Sequence, residues 1–349
     1  MAALADPVQP APLGAAALEH PRSPQSCLVV GGGLLGSHVA LRLAAAGHPT
    51  TVFSRSFNPL LLAAAGDKGI RLVEGPVELS ASLAKEVDTA DIVFYTAGSS
   101  TPGASDRDPA ASLVGSVAPG VVVLEQVRRV GGRRVVLASS GGTVYGCPTT
   151  FPTPEDAPLE PISVHGLNAV ALERYAQFFA DRHSIDLVVP RYSNLYGPGQ
   201  LAQRSQGVVA AWGRAIMAGE PIVLFGDGSV RRDFVYVADA AEATVSVALN
   251  PAAHGAYNVG TGRASSLREI LDVVEDVVDR PFVVETREAR EVDVPLVELD
   301  CSRIRALTGW APTTELRDGV AASWEWLRGL DMGGVQPRVE PSARASRSR

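Results

Sequence analysis

The chain has 349 residues, of which 46% are hydrophobic, and carries a formal charge of -7 from 31 Lys and Arg against 38 Asp and Glu. That is enough apolar material for a sizeable core in one large or two modest domains, while the acidic balance argues against nucleic acid or anionic lipid as partners, leaving small molecules. Cys27, Cys147 and Cys301 are odd in number, far apart and without metal-ligand spacing, so reduced thiols in a cytoplasmic setting and no metal site are expected.

In chain order, segment 1–25 is rich in Ala and Pro and contains Asp6 and Glu19. It has no basic start followed by an apolar run, so it reads as a disordered segment rather than a signal peptide or anchor. No stretch is expected to be long and apolar enough to span a bilayer, so no membrane role is expected. From Cys27 onward short apolar runs alternate with helical stretches: CLVV, TTVFS, DIVFYTAG, RRVVLASS and DLVVPRY. This βα repetition predicts an α/β fold, a Rossmann doubly wound parallel sheet over 26–195. Its strands are uniformly apolar, as strands covered by helices on both faces should be. After Tyr196-Gly197-Pro198 the units shorten. A smaller C-terminal substrate lobe is expected over 196–224 and 251–330, with a return to the sheet at about 225–250 around DFVYVAD. The tail 331–349 has few apolar residues and reads as disordered.

The strand CLVV runs into Gly31-Gly32-Gly33-Leu34-Leu35-Gly36 and then a helix beginning Ser37-His38. In this strand-turn-helix setting GxGxxG is a dinucleotide fingerprint. Gly31 makes the tight turn, Gly33 lets a pyrophosphate approach the backbone, Gly36 lets helix and strand pack closely, and the helix N-terminus favours the anion. At the end of the second strand an NAD-preferring site would place a carboxylate; this chain has Ser54, Arg55 and Ser56. A guanidinium flanked by hydroxyls suits a 2'-phosphate, which predicts NADP(H).

Further motifs follow: FYTAG (94–98), SSGGTVYG (139–146), PISVHGLNAVALERY (161–175), PRYSNLYGPGQ (190–200), FGDGSVRRDFVYVAD (225–239), YNVGTG (257–262) and LTGWAP (307–312). With the glycine loop they resemble the extended short-chain dehydrogenase/reductases, the NAD-dependent epimerase/dehydratase family, from about Cys27 to Leu327. The resemblance implies that Thr96, Ala97 and Gly98 line the cofactor's ribose side, along with contacts from Leu34 and Leu35. It places Ser139, Ser140, Pro190, Tyr192 and Ser193 beside the nicotinamide. Thr143, His165 and Asn194 become candidate substrate contacts, and Arg232 and Arg290 match positions that meet a substrate diphosphate in the sugar-nucleotide enzymes of the family.

The departures are concentrated in the chemistry. Where the family carries its catalytic Tyr-x-x-x-Lys, this chain has His165 and Ala169, and the catalytic Ser/Thr falls on Gly141. The family's opening glycine is Val30, its adenine-side aspartate falls near Pro76, and its helix asparagine is Ser116. Only Lys68 and Lys85 are lysines, and both precede the segment. The proton shuttle of the family is therefore missing while the hydride donor's site is kept. This pattern of losses resembles the atypical ketoreductases that tailor angucyclinone polyketides, which implies NADPH-dependent reduction of a carbonyl on a polycyclic aromatic polyketide, assisted by the substrate's own phenol. His165 is a candidate proton donor, with Ser139, Ser140 and Thr143 as hydroxyl alternatives.

Two other readings stand beside it. One is a sugar-nucleotide epimerase or dehydratase, supported by Arg232 and Arg290, which requires a base for an unactivated alcohol. The other is a non-catalytic NADP(H)-binding protein. Family dimers pair the helix of the Tyr/Lys positions, here 164–181, with the one before it, here 121–129. Ala118-Pro119-Gly120 interrupts the latter, so monomer and homodimer both remain open.

Overall fold

The computed structural model describes residues 23–78, 81–98, 102–201, 207–289 and 294–332. Most of the two segments read as disordered, 1–25 and 331–349, lies outside the described residues.

The large sheet begins with β1 (Cys27–Gly32), β2 (Thr50–Phe57), β3 (Arg71–Glu74) and β4 (Ile92–Tyr95), and continues with β5 (Arg134–Leu137), the short β6 (Ser139–Ser140) and β7 (Asp186–Tyr192). A last strand, β11 (Gly255–Val259), completes it. The order is β11-β7-β5-β4-β1-β2-β3, with β6 paired to β7. Every pairing is parallel. This is the doubly wound architecture expected from the apolar runs.

Alternate residues of each strand feed opposite cores. Val29, Val52, Phe94, Val136 and Val188 belong to one cluster, which includes Val39, Ala40 and Leu43 of helix α1 (Leu34–Ala45) and Ala240, Ala241 and Val245 of α9 (Val237–Leu249). Leu28, Val30, Phe53, Val93, Tyr95, Val135 and Leu187 belong to the other. That second core contains Leu83 and Val87 of α3 (Ala81–Thr89), Val123, Leu124 and Val127 of α6 (Ala118–Val130), and Leu172 and Ala176 of α7 (Val164–His183). A period of two with both faces buried explains why the strands read as unbroken apolar runs.

The second lobe has its own core. Trp212 and Ile216 of α8 (Val208–Ala218), Ile270 and Val274 of α10 (Leu267–Val277), and Val320 and Trp324 of α12 (Leu316–Met332) pack with Tyr196 and Phe234. Strand β10 (Arg231–Tyr236), which carries DFVY, does not return to the large sheet. It pairs with β8 (Asn194–Tyr196) and β12 (Ala264–Ser266) in a three-stranded sheet. The residues that rejoin the large sheet are those of β11, beyond the segment 225–250, because α9 must first cross the face that α1 occupies.

Two further expectations are revised. Helix α6 starts at Ala118 and runs to Val130, so Pro119 sits in its first turn, where it removes no helical hydrogen bond. With α5 (Pro109–Ser116), which precedes it, it forms a helical stretch of 22 residues, Pro109–Val130, holding an 18-residue window of mean hydropathy 1.5. By length and composition this stretch could cross a membrane, contrary to the expectation that none would. A core helix passes the same test, and 44% of its apolar window is buried, with Val123, Leu124 and Val127 in the core under the sheet.

Candidate active site

The glycine loop lies at the carboxyl end of β1, which is flanked by β2 and β4, the point where the strand order reverses. Gly31 has φ +118, and a Cβ there would stand 2.6 Å from the backbone nitrogen of Ala97. At Gly36 a Cβ would collide with the carbonyl oxygen of Gly31. Gly33, by contrast, has nothing within 4 Å of an added Cβ. It is also the N-cap of α1, and no side chain caps that helix. The loop is thus tight where it meets protein and open in front of bare helical N–H groups, which fits a dinucleotide pyrophosphate. Leu34 and Leu35 open the helix behind it. Thr96 Oγ1 donates to the Gly31 carbonyl at 3.0 Å, and a Cβ on Gly98 would meet open space. Thr96 and Ala97 therefore back the loop at Gly31, with Gly98 next to them in the chain.

Ser54, Arg55 and Ser56 lie where β2 slips register. Val30 faces Phe53 but Gly32 faces Phe57, so these residues bow out of the ladder with β1. Arg55 and Ser56 are exposed. The charge of Arg55 is felt at the Tyr95 phenol at the end of β4, which burial pushes above its ordinary pKa and Arg55 pulls back. An exposed guanidinium thus lies beside the loop.

On the other side of the reversal the strand ends of β6 and β7 meet α7. His165, Ala169 and Glu173 recur every four residues along this helix and share one face. Glu173 shows which way that face looks. Its carboxylate, 7% exposed, accepts from Ser139 Oγ and pairs with the buried Arg191, whose Nη2 donates at 2.7 Å. Arg191 also donates to the Tyr145 hydroxyl at 2.9 Å, and that hydroxyl donates to Asn258 Oδ1 at 2.8 Å. Ser139 is therefore engaged in a structural network, which its sequence position alone did not indicate. The spacing of Glu173 from His165 was the available signal.

The first turn of α7 is pressed against the strand-end loop. A Cβ on Gly166 would stand 2.6 Å from the Thr143 carbonyl oxygen. Ser163 caps the helix, accepting from Gly166 N at 3.2 Å. Thr143 and Ser140 are tied by Thr143 N donating to the Ser140 carbonyl at 3.0 Å. Thr143 and the His165 turn are thus brought together. His165 is half-buried, and its pKa lies below the ordinary histidine value because burial disfavours the cation, with the Asp106 carboxylate working the other way. Ala169 packs against the apolar core. Gly141 is walled in: a Cβ there would meet Leu299 Cδ1 at 2.6 Å and the Arg191 carbonyl oxygen at 3.0 Å. None of the three posts holds an activated acid or base.

The remaining candidates divide. Pro190 sits where the partner of β7 changes from β5 to β6, a position that needs no N–H. The Tyr192 side chain does not border a cofactor: it is buried in the α9-side core, its hydroxyl 2.7 Å from Thr244 Oγ1. Alternation along β7 sends it to the face opposite Arg191, so only its backbone remains for the cofactor. Ser193 is buried beside Gly260, and its Oγ has no hydrogen-bond partner among the described residues. Asn194 reaches the strand-end loop, its Oδ1 3.5 Å from where a Cβ of Gly142 would lie. Arg232 donates to the backbone carbonyls of Arg231 and Val294. Arg290 lies outside the described residues. Neighbouring Asp233 pins the second lobe, accepting from Thr261 N at 2.8 Å and Gly262 N at 3.1 Å.

Comparison with known proteins agrees with this arrangement. The NAD dependent epimerase/dehydratase family matches residues 27–260. A UDP-glucose 4-epimerase of Mycolicibacterium smegmatis is 36% identical over 239 residues, covering 68% of this chain and 76% of its own. A dTDP-4-dehydro-6-deoxyglucose reductase of Escherichia coli is 28% identical over 228 residues, covering 65% and 72%. The crystal structure of the Thermus thermophilus UDP-glucose 4-epimerase in complex with NAD superposes with a TM-score of 0.78 at 27% identity, covering 87% of this chain and 99% of that one. By likeness these relatives stand with the sugar-nucleotide alternative rather than with the polyketide reading. On the glycine loop, the strand-end motifs and the matched span together, the chain belongs to the NAD-dependent epimerase/dehydratase family, the extended short-chain dehydrogenase/reductases.

Proposed function

We propose that the protein is a cytoplasmic reductase that uses NADPH to reduce a ketone carrying its own neighbouring hydroxyl, as in polycyclic aromatic polyketides of the angucyclinone kind. One observation carries the reading: Gly141, His165 and Ala169 hold the posts of the family's acid system, beside an intact dinucleotide cradle.

When bound, the dinucleotide supplies hydride. The glycine loop, Thr96 and the α1 N-terminus hold and orient it, and Ser54, Arg55 and Ser56 favour a 2'-phosphate. Oxidising an unactivated alcohol needs a base that this site lacks. Reducing a ketone is less demanding, because a phenol beside the carbonyl stabilises the developing alkoxide and the protein contributes orientation. Losing general acid assistance costs roughly a hundredfold to ten-thousandfold, a deficit the substrate's own hydroxyl can offset. The similarity to a reductase of a dehydro sugar supports one-way carbonyl reduction within this family.

The test is to mix the purified protein with NADPH and an aromatic ketone bearing a hydroxyl peri to the carbonyl, or the same ketone without the hydroxyl. Loss of the reduced-nicotinamide absorbance should be at least about tenfold faster with the hydroxy ketone. No turnover of either ketone would sink the reading.

A second reading, a sugar-nucleotide 4-epimerase, is favoured by the identity to UDP-glucose 4-epimerases. Conversion of UDP-glucose to UDP-galactose by the same preparation would establish it and displace the first. Tight NADPH binding with neither turnover would leave the non-catalytic reading.

We infer further that the protein acts as a homodimer. Leu113 and Val114 on α5 and Leu167, Tyr175 and Phe178 on α7 are exposed large apolar side chains. Sedimentation showing only a monomer at micromolar concentration would refute this.

A further inference from the structure

We propose that His165, with its helix turn fixed by Asp106, is the hydrogen-bond donor that anchors the substrate's reacting oxygen, Asp106 acting as its positioning residue. The proposal rests on the reductase reading and assigns that site a recognition group.

The argument starts at the first turn of α7, whose leading N–H groups have no helical partner. Ser163 satisfies one of them. Another, Val164 N, donates at 2.9 Å to Oδ1 of Asp106, which comes from α4 (Pro102–Arg107). Asp106 stands 58 residues away in sequence and is exposed. A carboxylate in the last turn of its own short helix gains nothing from that helix's dipole, whereas at the N-terminus of α7 it is favoured. The contact therefore fixes the backbone immediately before His165.

His165 itself is half-buried, yet neither ring nitrogen makes a hydrogen bond among the described residues. Its helix face is the one that Glu173 directs toward Ser139, and Ala169, one turn on, supplies no competing polar group. Burial and the positive end of the helix both favour the neutral ring, and Asp106 is the charged group that opposes them. A neutral imidazole has one N–H to donate and one nitrogen to accept. Beside a helix N-terminus such a ring can polarise a carbonyl without surrendering its proton. The imidazole ends the step as it began: hydride goes to the carbonyl carbon, the substrate's phenol proton goes to the alkoxide, and solvent reprotonates the phenolate.

The experiment compares four variants with the parent, using NADPH and the peri-hydroxy ketone, and measures kcat, KM, NADPH affinity and thermal midpoint. His165→Phe should lower kcat by about a hundredfold with NADPH affinity unchanged, as loss of an oxygen-stabilising donor does, while His165→Gln, which keeps an N–H, should regain most of it. Asp106→Asn preserves the acceptor for Val164 N and should stay within about threefold, whereas Asp106→Ala should lower kcat about tenfold, with only the small fall in thermal midpoint that loss of one helix N-terminal hydrogen bond brings. His165→Phe within about twofold of the parent, or His165→Gln no better than His165→Phe, overturns the donor role. An Asp106→Ala variant as fast as the parent removes Asp106. If the parent does not reduce the ketone, the reductase reading fails and this proposal falls with it. A parent that turns over beside an unimpaired His165→Phe variant defeats this proposal alone.

Discussion

Leu299 occupies the space that a side chain at Gly141 would need, its Cδ1 lying 2.6 Å from where a Cβ would stand. The missing hydroxyl is thus not a simple deletion from an otherwise competent site. Gly141→Ser should destabilise the protein by about 1–3 kcal/mol through overpacking, and should not raise the ketone reduction rate. Adding Leu299→Ala should relieve the clash. Urea unfolding of the single and double variants checks the pair, and equal midpoints for Gly141→Ser and the parent would show that Leu299 yields freely.

The glycine loop separates a binding effect from a folding effect. Gly33 faces open space and Gly36 faces the Gly31 carbonyl. Gly33→Ala should change stability by less than about 0.5 kcal/mol while weakening dinucleotide affinity at least about tenfold. Gly36→Ala should lose both. Calorimetric binding and thermal unfolding, measured on the same preparations, separate the two.

On the proposed NADPH reading, cofactor choice turns on Arg55, exposed beside the loop. Arg55→Ala should weaken NADPH binding by about tenfold to a hundredfold and leave NADH nearly unchanged, since a charge-assisted hydrogen bond to phosphate contributes about 1.5–3 kcal/mol. Equal losses for both dinucleotides would mean that the guanidinium does not read the 2'-phosphate.

Stability should fall on the acid side of neutrality because of His38. Its Nε2 donates to the Pro198 carbonyl at 2.8 Å, and burial holds the imidazole below its ordinary value of 6.5. The unfolded chain takes up a proton near that value while the folded chain resists it. The contribution of His38 is therefore fully present above 6.5 and is lost as pH falls through the lower folded value. His38→Asn should flatten this part of the pH profile, as read from urea midpoints between neutrality and mild acid. A parent whose midpoint does not move over that range would contradict the assignment.

Much of the sheet was legible because the buried strands announce themselves. CLVV, DIVFY, RRVVL and DLVVPRY each became a parallel strand, since both faces are covered and no polar alternation interrupts them. DFVYVAD carries the same local signal, yet β10 pairs with β8 and β12. Periodicity reports burial and not the partner, and here α9 decides the partner by lying against α1. The glycine loop was legible in detail because the strand-turn-helix geometry sets what each position meets: backbone at Gly31 and Gly36, open space at Gly33. The engagement of Ser139 with Glu173, the wall of Leu299 and the reach of Asp106 to Val164 were not, for each joins segments far apart in the chain. Tyr192 was misplaced because motif position does not say which face of β7 a side chain takes.

The position of β11 governs how the molecule can come into being. This strand, synthesised before α10 and α12 of the second lobe, pairs along β7 from Val188 to Tyr192. Until residue 259 has left the ribosome, β7 is an open edge of an apolar sheet, the kind of edge that recruits other strands. The nascent chain therefore carries an aggregation-prone edge from the completion of β7 at residue 192 until β11 has emerged, and a fragment ending near 195 should be insoluble however complete its nucleotide loop.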